Sequence, residues 1–414
     1  MRGAGAALEP WLLRKIYDGV GRPPIRLRLR SGVEVAPADA APVADILIDN
    51  VKTLLALALE PEIAFGEAYR DARIDVDGDL VAALESVMRS LYERPRHVLA
   101  ELISKFMEFA QRNSLHGSRK NIHRHYDLGT DFYRLWLDRE LVYTCAYFPS
   151  ASATLEEAQA AKMDYVCRKL QLQAGERVIE AGCGWGALAL HMAGHFGVSV
   201  RAFNISHEQI LEARRRAKEL GLTNKVEFIE DDYRNISGKC DAFVSVGMLE
   251  HVGHEHYAEL ARIVHNSITA TGRGFLHFIG RNQARPFSRW TRKRIFPGAY
   301  APALSQVMPI FESWNFSVLD VENLRLHYAK TLEHWLARFE RSKLRVAEMF
   351  GPEFVRAWRL YLAGSIAGFR AGTLQLFQIL FARTACHKIP PTREHLYKKA
   401  LQDEQEIKWM TATS

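Results

Sequence analysis

The chain has 414 residues, 48% hydrophobic and 25% charged, with a formal net charge of +7. The length exceeds one small core and the composition excludes a disordered chain, so one domain of about 250 residues with a smaller companion is expected. The charge admits an anionic partner (nucleic acid, membrane surface or acidic metabolite), and no apolar run approaches the roughly 20 residues that cross a bilayer.

Cysteines 145, 167, 183, 240 and 386 are odd in number and include no C-x-x-C pair, which argues against a disulfide framework or structural zinc. The start, "MRGAGAALEPWLLRKI", has no clean apolar core followed by a cleavage site. No signal peptide is expected, and the chain is placed in the cytoplasm.

In chain order, residues 1–95 read as a small mixed domain. "IRLRLRSGVEV" (25–35) alternates apolar and basic residues around Ser31-Gly32, a strand pair. "VADILIDNVKTLLALALEP" reads as a strand or helix start leading into a helix ended by Pro61. "DLVAALESVMRSLYERP" is an amphipathic helix closed by Pro95, and 96–124, rich in Arg and Lys, is the linker to a second domain. In "ELVYTCAYFPSAS" (140–152), Tyr143, Cys145 and Tyr147 alternate, which predicts a short strand or extended segment sharing one face. Packing explains that pattern, and so does a cysteine presented to a pocket.

From about residue 155 helices and strands alternate: "LEEAQAAKMDYVCRKLQL" helix, "ERVIEAG" strand, "GALALHMAGHFG" helix, "VSVRAFNIS" strand, "HEQILEARRRAKELGL" helix, then strands "KVEFIEDD", "CDAFVSVGML" and "GRGFLHFIG". This order, with near-continuous apolar strands, implies a parallel doubly wound sheet. Residues 330–385 read as helical throughout, including "GTLQLFQILFAR".

"RVIEAGCGWGALALHMA" places Gly182, Gly184 and Gly186, with Cys183 between the first two, at a strand-to-helix turn. Glycines there let a ligand approach the backbone while the helix N-terminus offers free amides. The spacing is not the G-x-G-x-x-G of dinucleotide binding. Glu180 at the strand end faces a cationic ligand, which favours S-adenosylmethionine over a pyrophosphate, with a dehydrogenase as the alternative. The next strand ends in Asn204, where an acid usually grips the ribose, although an amide also hydrogen-bonds a hydroxyl. Gln209 is a further candidate, and Asp232 with Tyr233 is placed at the adenine, against a solvated acidic turn.

"VGMLEHVGHEHY" (246–257) concentrates Glu250, His251, His254, Glu255, His256 and Tyr257, and "LHFIG" sets His277 at the same sheet edge. Histidine with carboxylate suits zinc, but the spacing lacks the H-E-x-x-H pair, and no metal is expected. "RNQARPFSRWTRKRIFPGAY" (281–300) interleaves basic residues with Phe287, Trp290, Phe296 and Tyr300. That mixture suits an anionic membrane surface, with RNA as the rival partner. The helix at 79–93 is a second membrane contact or, facing the core, a packing element.

Six blocks in order, "HYDLGTDFYRLWLD" (125–138), "LVYTCAYF", "EAGCGWG", "GMLEHVGHEHY", "LHFIG" and "HYAKTL" (327–332), resemble the cyclopropane-fatty-acyl-phospholipid synthases and their mycolic-acid relatives. "GEAYRDARIDVDGDL" (66–80) more loosely resembles the extra domain of the phospholipid-acting members. The resemblance implies an α/β fold: a doubly wound, mostly parallel Rossmann-like methyltransferase sheet with helical additions over 125–395, a lipid- or membrane-associated α+β domain over 1–95, and a tail from 396 to 414. It implies methyl transfer from S-adenosylmethionine to a cis double bond in a phospholipid acyl chain. The carbocation then closes to a cyclopropane, with bound bicarbonate as base. Matched by block, bicarbonate falls to Cys145, Glu250, His277, the backbone at Ile279 and Tyr328. The methyl donor falls to Tyr143, Thr144, Glu180, Gly182, Gly184, Asn204 and Gln209.

The chemistry of a carbocation requires a water-poor pocket, for which Tyr147, Phe148 and Trp185 offer aromatic faces. Cys145 as a covalent nucleophile is the rival role. Asn204 stands where the family usually has threonine, and Ser365 where some relatives carry cysteine. A methylene- or methyl-branched product on the same lipids, an RNA methyltransferase and an inactive lipid-binding relative are the alternatives. A homodimer and a place at the inner membrane face are what the resemblance further implies.

Overall fold

The structure, a computed structural model, describes residues 3–92 and 128–397. The expected linker 96–124, the first residues of the 125–138 block and the tail beyond Tyr397 lie outside the described residues. The N-terminal part holds strands β1 (Arg26–Leu29), β2 (Glu34–Val35), β3 (Ala44–Ile48) and β4 (Ile74–Gly78) in the order β2-β1-β3-β4. The predicted strand pair is β1–β2, antiparallel, turned by Gly32 at φ 95°. The helix Val51–Leu59 stops at Glu60, and Pro61 opens the helix Pro61–Arg70 at its first position, where its missing N–H costs nothing.

The second sheet contains β5 (Arg177–Ala181), β6 (Ser199–Asn204), β7 (Val226–Glu230), β8 (Cys240–Val246), β9 (Ile268–Gly280), β10 (Phe316–Asn323) and β11 (Gln375–Arg383), ordered β10-β11-β9-β8-β5-β6-β7. Strands β5 to β9 run parallel; β11 is antiparallel to β9, and β10 to β11. The chain leaves β5 towards β6 and β7, then crosses back to β8 on the other side. That reversal opens a crevice at the carboxyl ends of β5 and β8, where doubly wound sheets bind ligands.

One expected helix is a strand. The helix Pro352–Arg370 ends, Gly372 turns the chain at φ 75°, and "QLFQILFAR" runs antiparallel beside β9 with every side chain up to Ala382 buried. A short apolar run fits a buried strand or a buried helix equally, so its period does not decide.

The 281–300 segment also differs from expectation. Trp290 and Tyr300 are buried, and the Trp290 indole lies against Gly66, where a Cβ would sit 2.4 Å from the ring. Its cations meet acids of the N-terminal part: Arg289 pairs with Glu60 at 3.3 Å, Lys293 with Glu67 at 3.5 Å and Arg294 with Glu67 at 2.7 Å. The interleaved pattern therefore builds a seam within the protein, with Trp290 and Tyr300 buried in it and Phe287 and Phe296 half-buried. Arg356 closes the same seam, donating to the Tyr69 and Ile74 carbonyls, and the helix Leu80–Tyr92 packs on the helix Pro352–Arg370.

Candidate active site

The glycine turn after β5 sits at the crevice. Gly182 and Gly186 both have φ near 84°, and a Cβ on Gly182 would lie 2.9 Å from the Met248 side chain. Around that turn opens a cleft of about 1090 Å³, part of it open to solvent. Its lining takes Tyr143 and Thr144, Glu180, Gly182, Cys183, Gly184 and Trp185, Asn204 and Gln209, then Asp232 and Tyr233. Of the expected donor-binding residues only Gly186 is outside the lining; it caps the helix Ala187–Phe196. The Asn204 amide donates to the Gly184 carbonyl at 3.2 Å and to Gln209 Oε1 at 2.7 Å, which ties the glycine turn to the next helix.

The Tyr143–Phe148 stretch forms no strand among the described residues, and the chain bends at Thr144. Side chains satisfy its backbone instead. Gln159 donates to the carbonyls of Val142 and Thr144, while Thr331 and His327 accept from the amides of Ala146 and Phe148. Gln159 belongs to the helix Leu155–Leu170, set by a capping box of Thr154 and Glu157. Tyr147 stacks between Tyr165 and His327, and Phe148 packs on His334, so these rings serve the helices and not the cleft. Trp185, by contrast, lines the cleft and packs on Tyr133. Tyr143 contacts the Trp136 and Trp335 rings, and its hydroxyl meets that of Tyr361 at 2.9 Å.

Outside the cleft lining, two further buried polar side chains lie on β9 or hydrogen-bonded to it. Glu250, 5% exposed, receives the Ile279 amide on Oε1 at 2.6 Å, while its Oε2 has no hydrogen-bond partner among the described residues. The Ile279 N–H is thereby committed to Glu250 and not left open for a ligand. His277, 2% exposed, lies two residues earlier on β9; its Nδ1 faces the Gln378 amide nitrogen at 3.1 Å, and its Nε2 is unpartnered. In that assigned amide orientation Gln378 donates to Nδ1, and Nε2 carries the ring proton. Burial pushes the Glu250 carboxyl up to about 7 and holds His277 neutral, well below the usual imidazole range. Tyr328 packs on Phe369 and, with Cys145, belongs to the same hydrophobic core. The Cys145 thiol donates to the Ala146 carbonyl at 3.2 Å, and burial raises it well above the ordinary thiol range. A thiol held protonated in that way is no nucleophile.

Two residues of these clusters carried no sequence signal. Gln378 lies directly opposite His277 in the β9–β11 register, which a helical reading of 375–383 conceals. Lys162 is 2% exposed and lines the cleft, although a lysine in a polar helix pattern normally reads as solvated. His254 and His256, the tempting metal ligands, lie against Tyr257 and beside Glu255 and Glu259 respectively. Among the described residues no group of three His, Cys, Asp or Glu side chains is placed to hold a metal.

A glycine turn at the β5–β8 crevice, an acid at the strand end and the cleft around that turn define an S-adenosylmethionine-dependent methyltransferase of the cyclopropane synthase class. Residues 113–379 match the family described as mycolic acid cyclopropane synthetase, and the chain belongs to that family. It is 34% identical over 391 residues to a probable fatty acid methyltransferase of Pseudomonas putida, covering 91% of this chain and 96% of that one. It is also 34% identical over 358 residues to the cyclopropane-fatty-acyl-phospholipid synthase of Escherichia coli K12, covering 86% and 92%. Among solved structures, mycolic acid cyclopropane synthase CmaA1 in complex with SAH and CTAB superposes with a TM-score of 0.61 at 30% identity, over 64% of this chain and 98% of that one.

Proposed function

We propose that the chain transfers a methylene carbon from S-adenosylmethionine to the cis double bond of unsaturated phospholipid acyl chains, forming cyclopropane fatty acids. The observation that carries this reading is the pair of buried, unpartnered atoms Glu250 Oε2 and His277 Nε2 outside the cleft lining. Buried polar atoms without partners cost about 1–3 kcal/mol each, so two at one sheet edge point to a missing ligand. A small oxyanion bearing one proton fits them: His277 Nε2–H donates, and Glu250, near neutrality at about 7, accepts or donates. Bicarbonate has that chemistry, with Cys145 and Tyr328 completing the pocket and the Ile279 amide acting through Glu250.

S-adenosylmethionine supplies an electrophilic one-carbon unit and bicarbonate a weak base. The protein's own part is to hold these groups and keep water away, because water would trap a cationic acyl chain as an alcohol. Tyr143, backed by Trp136 and Trp335, and Trp185 offer ring faces to developing positive charge. Tyr143, Thr144, Glu180, Gly182, Cys183, Gly184, Asn204, Gln209, Asp232 and Tyr233 hold the donor.

A phospholipid acceptor is favoured by chain length. The likeness to the E. coli phospholipid synthase covers 86% of the chain, whereas cyclopropane mycolic acid synthase 1 of Mycobacterium tuberculosis matches 62% of it. With Trp290 and Tyr300 turned inward, the bilayer contact is assigned to the helices Gly3–Gly19 and Val51–Leu59. These expose Trp11 at 57% and Leu59 at 80%, together with Arg14, Lys15 and Lys52. A branched product from the same lipids is the second reading, favoured by the 91% coverage shared with the tuberculostearic acid methyltransferase of M. tuberculosis. The test is mass spectrometry of vesicles holding a cis-monounsaturated phospholipid after incubation with protein and S-adenosylmethionine, with and without competing RNA. A gain of one CH2 per chain, unaffected by RNA, supports the reading. No gain while the donor still binds overturns it.

A further inference from the structure

Helix Leu155–Leu170 carries Lys162 inward from its third turn, and the side chain is 2% exposed. Its ammonium donates to Thr144 Oγ1 at 3.0 Å and to no other group among the described residues, although it carries three donors. Across the same cleft wall Glu180, also 2% exposed, has its Oε2 without a partner among the described residues. Lys162 is the sole lysine or arginine in the lining. No ion pair forms between Lys162 and Glu180 within 4 Å, and each keeps unused bonding capacity facing one cavity. A buried ammonium and a buried carboxyl that do not meet are both satisfied by a ligand carrying a carboxylate for the one and an ammonium for the other.

We propose that Lys162 binds the α-carboxylate of the S-adenosylmethionine amino-acid arm, opposite Glu180 on its ammonium, so that the two residues together read the zwitterion. This rests on the assignment of the cleft to that donor and not on the lipid acceptor. The adenosine end is provided for separately, by Asn204, Gln209, Asp232 and Tyr233. That leaves the amino-acid arm for the Glu180 and Lys162 end, next to the glycine turn. Thr144 is the local support: Gln159 fixes its carbonyl at 2.9 Å, and its hydroxyl anchors the ammonium, so Lys162 is held in place before the ligand arrives. Pre-positioning avoids the cost of ordering a long side chain on binding. Burial brings the ammonium down to about 8, against the opposing pull of the buried Asp138 and of Glu180.

The test compares two ligands by titration calorimetry in the absence of lipid: S-adenosylmethionine and its decarboxylated analogue, which keeps the adenosine, sulfonium and amine. The wild-type protein is expected to bind the carboxylated ligand at least about tenfold more tightly. Lys162→Met and Lys162→Gln each lose about 10- to 100-fold for S-adenosylmethionine while the decarboxylated analogue changes by less than about twofold. Equal losses for the two ligands would show a packing role and overturn the proposal. Should neither variant fold, the wild-type comparison decides alone, and equal affinity for the two ligands overturns it as well. Lipid turnover enters neither arm, so failure of the phospholipid reading leaves this result untouched.

Discussion

Glu180 gives a quantitative prediction about pH. Burial pushes its carboxyl up to about 8, drawn back in part by Lys162 and by the Ala189 amide at the first turn of the following helix. The donor's ammonium needs the carboxylate form, so below pH 8 each binding event must first remove a proton. Well below pH 8 affinity then falls about tenfold per pH unit, so binding at pH 6 is about tenfold weaker than at pH 7, about 1.4 kcal/mol. Lys162, brought to about 8, is already protonated along this limb, so the slope reports Glu180. The assay is calorimetry with S-adenosylhomocysteine, which keeps the same amino-acid arm, between pH 6 and 8.5. Glu180→Gln should bind weakly with no acid limb. A wild-type dissociation constant that stays flat from pH 6 to 8 would refute the reasoning, because it would mean that Glu180 is ionised in the free protein or does not meet the ammonium.

Other outcomes follow from single contacts. Gln378→Leu strips His277 Nδ1 of its partner and should lower methyl transfer by about 10- to 100-fold while leaving donor affinity unchanged, as measured by turnover and calorimetry on one preparation. Gly66→Ala on an ordinary helix stabilises by up to about 1 kcal/mol. Here the new methyl meets the Trp290 indole at 2.4 Å, so the expected sign is reversed, with a loss of about 1–3 kcal/mol and a lower Tm by calorimetry. Cys145, Cys167, Cys183 and Cys240 are buried, so an alkylating reagent applied to the native protein should label Cys386 alone, and peptide mass mapping reads this directly.

The parts of the site legible in the sequence are those where the chemistry lies in consecutive residues. The glycine turn, Glu180, Asn204 and the strand-end His277 all stand where their local patterns placed them, because a strand-turn-helix unit fixes its own side chains. What escaped depends on contacts between distant segments. β11 lies a hundred residues beyond β9, and "QLFQILFAR" has no alternation because both faces are covered, so Gln378 could not be matched to His277. Lys162 escaped because a helix pattern shows only which face is apolar, and this buried lysine faces a cavity instead of solvent. The seam made by the 281–300 segment escaped for a related reason: arginine beside tryptophan suits a lipid surface and an ion-paired seam alike, and the glutamates that pair with it, Glu60 and Glu67, lie more than 200 residues away.

The most direct measurement of ring formation is proton NMR of lipids recovered from vesicles treated with the protein and S-adenosylmethionine. Cyclopropane ring-methylene signals, shifted upfield of the acyl chain, are predicted from the buried Glu250–His277 cluster beside a water-poor aromatic pocket. Vinylidene or branched-methyl signals in their place, at full consumption of the double bond, would contradict ring closure and assign that cluster to a different deprotonation.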